Sequence, residues 1–161
     1  MLPYARQTIE ADDIQAVTAA LQSDFLTTGP QVTEFERCFA ETVSARYAVA
    51  VSSGTAALHA ATFAIGIQRG EEVITTPLTF VATANAVLYQ GGAPIFSDIR
   101  ADTLTMDTDP LESKITPRTR AIMPVHFAGQ PTDLDEIHRI ARARNLGVIE
   151  DAAHALGAEY R

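Results

Sequence analysis

Between residues 47 and 149 the chain alternates short apolar runs with helix-patterned stretches, and that alternation decides its fold class. The apolar runs occupy residues 48–51, 72–76, 94–97, 120–125 and 146–149. The stretches between them at 56–65, 80–88 and 134–144 carry helical spacing. Strands separated by helices pair in parallel, because a parallel neighbour needs a crossover long enough to hold a helix. The expected fold is α/β, three layers (α/β/α) around a mainly parallel sheet. Residues 98–117 read as an irregular crossing with a short helix near 110–115. Ahead of the sheet, residues 10–23 and 32–43 read as two helices joined through Thr27-Thr28-Gly29-Pro30. The first puts Ile14, Val17, Ala20 and Leu21 on one face; the second puts Phe35, Cys38 and Phe39 at core spacing. The domain division expected is a helical arm over 1–46 and a sheet domain over 47–161.

Composition excludes several function classes. At 47% hydrophobic and 20% charged the chain is ordinary globular material rather than disordered. A formal net charge of −8 argues against a nucleic-acid surface, which needs clustered Lys and Arg. The single cysteine, Cys38, cannot form an internal disulfide and suits a reducing compartment. No apolar run approaches the ~18 residues of a membrane span, and Met1-Leu2-Pro3-Tyr4-Ala5-Arg6-Gln7 lacks a signal peptide's apolar core. The expected address is the cytoplasm, with no membrane partner.

In open α/β sheets ligands bind beyond the carboxyl ends of the strands, and four such ends here carry chemistry. Ser52-Ser53-Gly54-Thr55 joins a strand to a helix start, where unpaired N–H groups and the helix dipole favour an anion. An ordinary Ser/Thr cap explains the same residues. Phe80, after the second strand, suits either a core position or a stacking face for a flat ring. His126 follows the fourth strand and suits a structural or a site role equally. Asp151 follows the fifth, where it can hold Mg²⁺, cap a helix or pair with a cationic ring nitrogen. The Mg²⁺ reading lacks a second acidic cluster at another strand end. A phosphate cradle, an aromatic face and a carboxylate on one edge match a phosphorylated, planar, cationic ring, and pyridoxal 5′-phosphate is such a molecule.

The blocks Thr27-Thr28-Gly29-Pro30 with Phe35-Glu36, Ser53-Gly54-Thr55-Ala56-Ala57-Leu58, Pro77-Leu78-Thr79-Phe80-Val81-Ala82-Thr83-Ala84-Asn85, Pro124-Val125-His126-Phe127-Ala128-Gly129-Gln130 and Glu150-Asp151-Ala152-Ala153-His154-Ala155-Leu156-Gly157 together resemble the sugar aminotransferases of the DegT/DnrJ/EryC1/StrS family. The resemblance implies part of the fold type I large domain, preceded by a helical arm, and pyridoxal 5′-phosphate as cofactor. It implies that Ser53, Gly54 and Thr55 hold the phosphate, Phe80 stacks on the ring, Asp151 pairs with its nitrogen and His154 sits beside its phenolic oxygen. Leu26, Thr27, Thr28, Gly29 and Pro30 then line the sugar-nucleotide approach. The arm and the His126-to-Pro131 run are most similar to the family's pseudaminic-acid branch. That branch aminates carbon 4 of a UDP-linked 4-keto-6-deoxy-N-acetylhexosamine, takes the amino group from L-glutamate and implies a homodimer.

The family's Schiff-base lysine lies in a segment expected downstream of Arg161. Lys114 precedes a strand whose far end is the cofactor edge, about 20 Å away at ~3.3 Å per residue, so it is expected at the surface. Two further readings stay open: a dehydratase of the same family using the pyridoxamine form, with histidine in place of the lysine, and a truncated cofactor-binding module without chemistry. The family's first strand pairs with strands later in the chain, so residues 1–161 alone are expected not to form a stable, active unit. Thermal unfolding of this segment should be broad rather than a sharp two-state melt.

Overall fold

The computed structural model describes residues 6–160; residues 1–5, where the signal-peptide reading fell, and residue 161 lie outside the described part. The chain divides into two compact units, 1–50 and 51–161.

The first unit holds helices α1 (Ala11–Leu21) and α2 (Pro30–Thr42). The Glu10 N–H donates to the Asp13 carboxylate at 2.8 Å, which sets the start of α1. Pro30 opens α2, where the missing N–H costs no helical bond. The helices fall where the periodicity predicts, but their apolar faces are not a core. Ile14 is 61% and Phe35 57% exposed, and Ala40 is the one buried residue of the two helices. Periodicity reports which face is apolar, not what covers it. The expected strand at 48–51 is also absent: those residues enter no ladder, and Val49 is 78% exposed. A strand exists only through its neighbours, and among the described residues none pairs with it.

The second unit contains α3 (Gly54–Ala64), β1 (Glu72–Thr75), α4 (Ala82–Tyr89), β2 (Ala93–Phe96), β3 (Thr119–Met123), α5 (Leu134–Arg144) and β4 (Gly147–Val148). The strands form one parallel sheet in the order β2-β1-β3-β4. Alternation of side chains across the pleat splits the core in two. Val73, Ala121 and Met123 face α3 and α4 with Leu58, Ala86 and Val87; Ile74 and Ile122 face α5 with Ile137, Ile140 and the crossing residues Met106 and Leu111. Thr62 ties α3 to α4 by donating to the Ala86 carbonyl at 3.1 Å. Helix α5 starts at Asp133, whose carboxylate accepts from the Glu136 N–H, and ends at Asn145 in the left-handed conformation (φ 54°). Among the described residues no helix is long and apolar enough to cross a membrane.

Glu72 opens β1 as a buried acid and is satisfied locally. Thr116 Oγ1 donates to it at 2.6 Å and Arg118 Nε at 2.9 Å. The Thr116 hydroxyl first, and the Arg118 guanidinium with it, hold its carboxyl below the ordinary range. A carboxyl lowered by folding adds stability above its unfolded value of about 4.3, and that stability is lost as pH falls through the lowered folded value. Glu72→Gln should therefore lower the melting temperature at pH 7. In melts run across pH, the gap to the unsubstituted protein should close below about 4.3.

Candidate active site

At the carboxyl edge of the sheet the chain encloses a cavity of about 210 Å³, whose wall includes Gly54, Thr55, Phe80, His126, Asp151 and His154. Five of the six residues expected at a cofactor thus meet in one place, from two loops and the start of a helix. The sixth, Ser53, caps α3: its Oγ accepts from the Ala56 N–H at 3.2 Å and its carbonyl from Ala57 at 3.0 Å. Helix α3 begins at Gly54, two residues before its alanine-rich pattern suggests. Gly54 and Thr55 therefore occupy the first turn, where N–H groups have no intrahelical acceptor. A Cβ at Gly54 meets no protein atom within 4 Å, so nothing in the chain's own packing asks for glycine there. The room it leaves belongs to the cavity.

Asp151 is 7% exposed, and its backbone is pinned on both sides. Its N–H donates to the Pro124 carbonyl at 2.9 Å and its carbonyl accepts from His126 N–H at 3.0 Å, prolonging the β3–β4 pairing past the last ladder residue. Its carboxylate accepts from Thr83 Oγ1 at 2.6 Å and from the Ala153 N–H at 3.3 Å. Neither Thr83 nor its neighbour Thr79 stood out in the sequence. The available signal was two hydroxyls four residues apart, one helical turn, at a strand end.

Phe80 is not core: it is 71% exposed on the cavity wall, because α4 fills its buried face with Ala82, Thr83, Ala86 and Val87. His154 is exposed, with its ring centroid 6.3 Å from that of Phe127. The turn that presents Phe127 is sharply bent, with Ala128 at φ 53° and Gly129 at φ 85°; a Cβ at Gly129 lies 3.3 Å from the His154 carbonyl. Glycine there answers both conformation and space. Leu26 to Pro30 belong to the first unit, where Leu26 and Gly29 border an apolar cleft with Val17, Leu21 and Phe25. Lys114 ends a short 3₁₀ turn, Leu111–Lys114, on the amino-terminal side of β3, and does not line the cavity.

His126 is held structurally by hydrogen bonds and also borders the cavity. It is 6% exposed and touches the cavity, yet both ring nitrogens are engaged. Nδ1 accepts from the Thr132 N–H at 3.2 Å, so the ring proton sits on Nε2, 3.0 Å from Glu150 Oε2. That bond holds the Glu150 carboxyl below its ordinary range.

The family pattern of the DegT/DnrJ/EryC1/StrS aminotransferases matches residues 7–161. The chain belongs to that family. It is 49% identical over 99% of its length to the spore coat polysaccharide biosynthesis protein SpsC of Bacillus subtilis, covering 41% of that protein. It is similar to the crystal structure of NtdA from Bacillus subtilis with bound cofactor PMP (38% identity, TM-score 0.87, 92% of this chain and 35% of that one). It is also similar to Helicobacter pylori PseC, an aminotransferase involved in the biosynthesis of pseudaminic acid (32% identity, TM-score 0.91, 99% of this chain and 43% of that one). The chain thus spans about two fifths of the curated relative's length, and its fold is the α/β architecture of the aminotransferase neighbours.

Replacing His126 by Phe keeps the volume but leaves the buried Thr132 N–H without an acceptor. The expected loss is about 1–3 kcal/mol of unfolding free energy, measured by urea denaturation.

Proposed function

We propose that the whole protein is a cytoplasmic, homodimeric, pyridoxal 5′-phosphate-dependent sugar aminotransferase. It moves the amino group of L-glutamate to carbon 4 of a UDP-linked 4-keto-6-deoxy-N-acetylhexosamine, the same chemistry as the pseudaminic-acid branch. The observation that carries this reading is the convergence of Gly54, Thr55, Phe80, Asp151 and His154 on one cavity. Family membership supports the reaction class, and the likeness to PseC supports the substrate.

The residues suit the cofactor on physical grounds. The open side of Gly54 and the unpaired first-turn N–H groups of α3 accommodate a phosphate dianion, which the helix dipole also favours. Ser53 and Thr55 hydroxyls add donors. An exposed aromatic at the wall gives a stacking surface for the ring, and a nearly buried carboxylate with fixed partners gives a counter-charge for a protonated ring nitrogen. His154 is assigned to the phenolic oxygen, and Leu26 to Pro30 to the sugar nucleotide. Pyridoxal phosphate, when bound, supplies an amino-accepting carbonyl and a cationic ring that withdraws electrons. The protein's share is to seat the phosphate, cover one ring face with Phe80 and keep the nitrogen protonated through Asp151. Lys114, the single lysine of these 161 residues, is not the proton-moving base, because it sits on the opposite side of the sheet's strand direction from the cavity.

The test is to incubate the whole protein with L-glutamate and the UDP-linked keto sugar and follow products by mass spectrometry. A UDP-linked 4-amino sugar formed with equimolar 2-oxoglutarate is the expected result; a product short of one water would instead identify a dehydratase. Asp151→Asn should reduce turnover about a hundredfold, and unchanged turnover rejects the role given to Asp151.

A further inference from the structure

Thr83 is completely buried, and its hydroxyl stands among three oxygens: Asp151 Oδ2 at 2.6 Å, Thr79 Oγ1 at 2.7 Å and the Phe80 carbonyl at 3.1 Å. One hydroxyl has one proton and two acceptor positions. An ionised carboxylate only accepts, and a charged acceptor draws the shorter, stronger bond. The Thr83 proton therefore points at Asp151 Oδ2, and Thr79 supplies its own proton to Thr83 Oγ1. The chain of hydroxyls has a single direction, from Thr79 through Thr83 to the carboxylate. At the other oxygen, Oδ1, the contact is a longer bond from the Ala153 N–H at 3.3 Å.

Resting on the reading above, we propose that Thr83, backed by Thr79, is a positioning residue for the cofactor. It occupies Oδ2, locks the plane of the Asp151 carboxylate and leaves Oδ1 as the oxygen that meets the protonated ring nitrogen. Helix α4 thereby sets the angle of an acid that lies 68 residues later, just past β4. The assignment separates hydroxyl from packing. If Thr83 merely fills space, Thr83→Ser, which removes a buried methyl, is the damaging change. If the hydroxyl positions Asp151, Thr83→Val, which keeps the shape, is the damaging one.

The experiment titrates the whole protein with pyridoxamine 5′-phosphate by calorimetry, beside its 1-deaza analogue, in which carbon replaces the ring nitrogen. Thr83→Val should weaken pyridoxamine phosphate about tenfold, the scale of one hydrogen bond to a charged group, while Thr83→Ser keeps most of the affinity. The deaza analogue should bind Thr83→Val as it binds the unsubstituted protein. Equal affinity of Thr83→Val and the unsubstituted protein for pyridoxamine phosphate overturns the proposal, as does a parallel loss for the deaza analogue. Should Thr83→Val fail to fold, Thr79→Val carries the test: about a fivefold loss confined to pyridoxamine phosphate supports the relay, and no loss overturns it. If Asp151→Asn weakens pyridoxamine phosphate but neither threonine variant does, the relay falls and the cofactor reading stands. No binding by the unsubstituted protein overturns both.

Discussion

The pairing of the chain past β3 with the chain past β4 is what makes a site possible. Ile149 N–H donates to the Ile122 carbonyl at 3.0 Å, Asp151 N–H to Pro124 at 2.9 Å, and His126 N–H back to Asp151 at 3.0 Å. Pro124 has no N–H, so it cannot take a full place in a ladder, but its carbonyl still accepts. The regular sheet ends at that point while the two backbones stay in register. Asp151 and His126 are thus delivered side by side, beyond the last strand residues, where a parallel sheet opens to solvent.

A carboxylate that is 7% exposed is costly unless partnered. Its partners come from elements far apart in sequence: α4 supplies Thr83, and the following turn supplies the Ala153 N–H. His126 is treated likewise, with Thr132 and Glu150 at its two nitrogens. Among the described residues no fully buried side-chain nitrogen or oxygen lacks a partner. The polar edge is thus hydrogen-bonded within the chain itself, with a partner for each of these buried groups.

Those layers do the remaining work of placement. Helices α3 and α4 lie on one face of the sheet and are joined by the Thr62 bond to Ala86. The start of α3 brings Gly54 and Thr55, and the approach to α4 brings Phe80, to the cavity that Asp151 borders. On the opposite face α5 and the crossing segment pack Ile137, Ile140, Met106 and Leu111 under Ile74 and Ile122. Moving the α3–α4 layer shifts a wall of the cavity, because Leu58 and Ala82 of those helices line it.

The sequence alone determined the alternation of strands and helices over residues 54–149, the parallel sheet, the helix start that carries Gly54 and Thr55, and the strand ends where Phe80, His126 and Asp151 would be found. These follow from local periodicity and from the rule that strand ends hold ligands. Tertiary structure decided what depends on neighbours distant in the chain. It left residues 48–51 unpaired and the faces of α1 and α2 exposed, because a strand or an apolar stripe gains stability only from what lies against it. It placed Phe80 at a wall rather than in the core. It also joined Thr83 to Asp151, a bond across 68 residues that no spacing rule encodes, since the geometry of two hydrogen-bonding atoms is set by the packing of the layers that carry them.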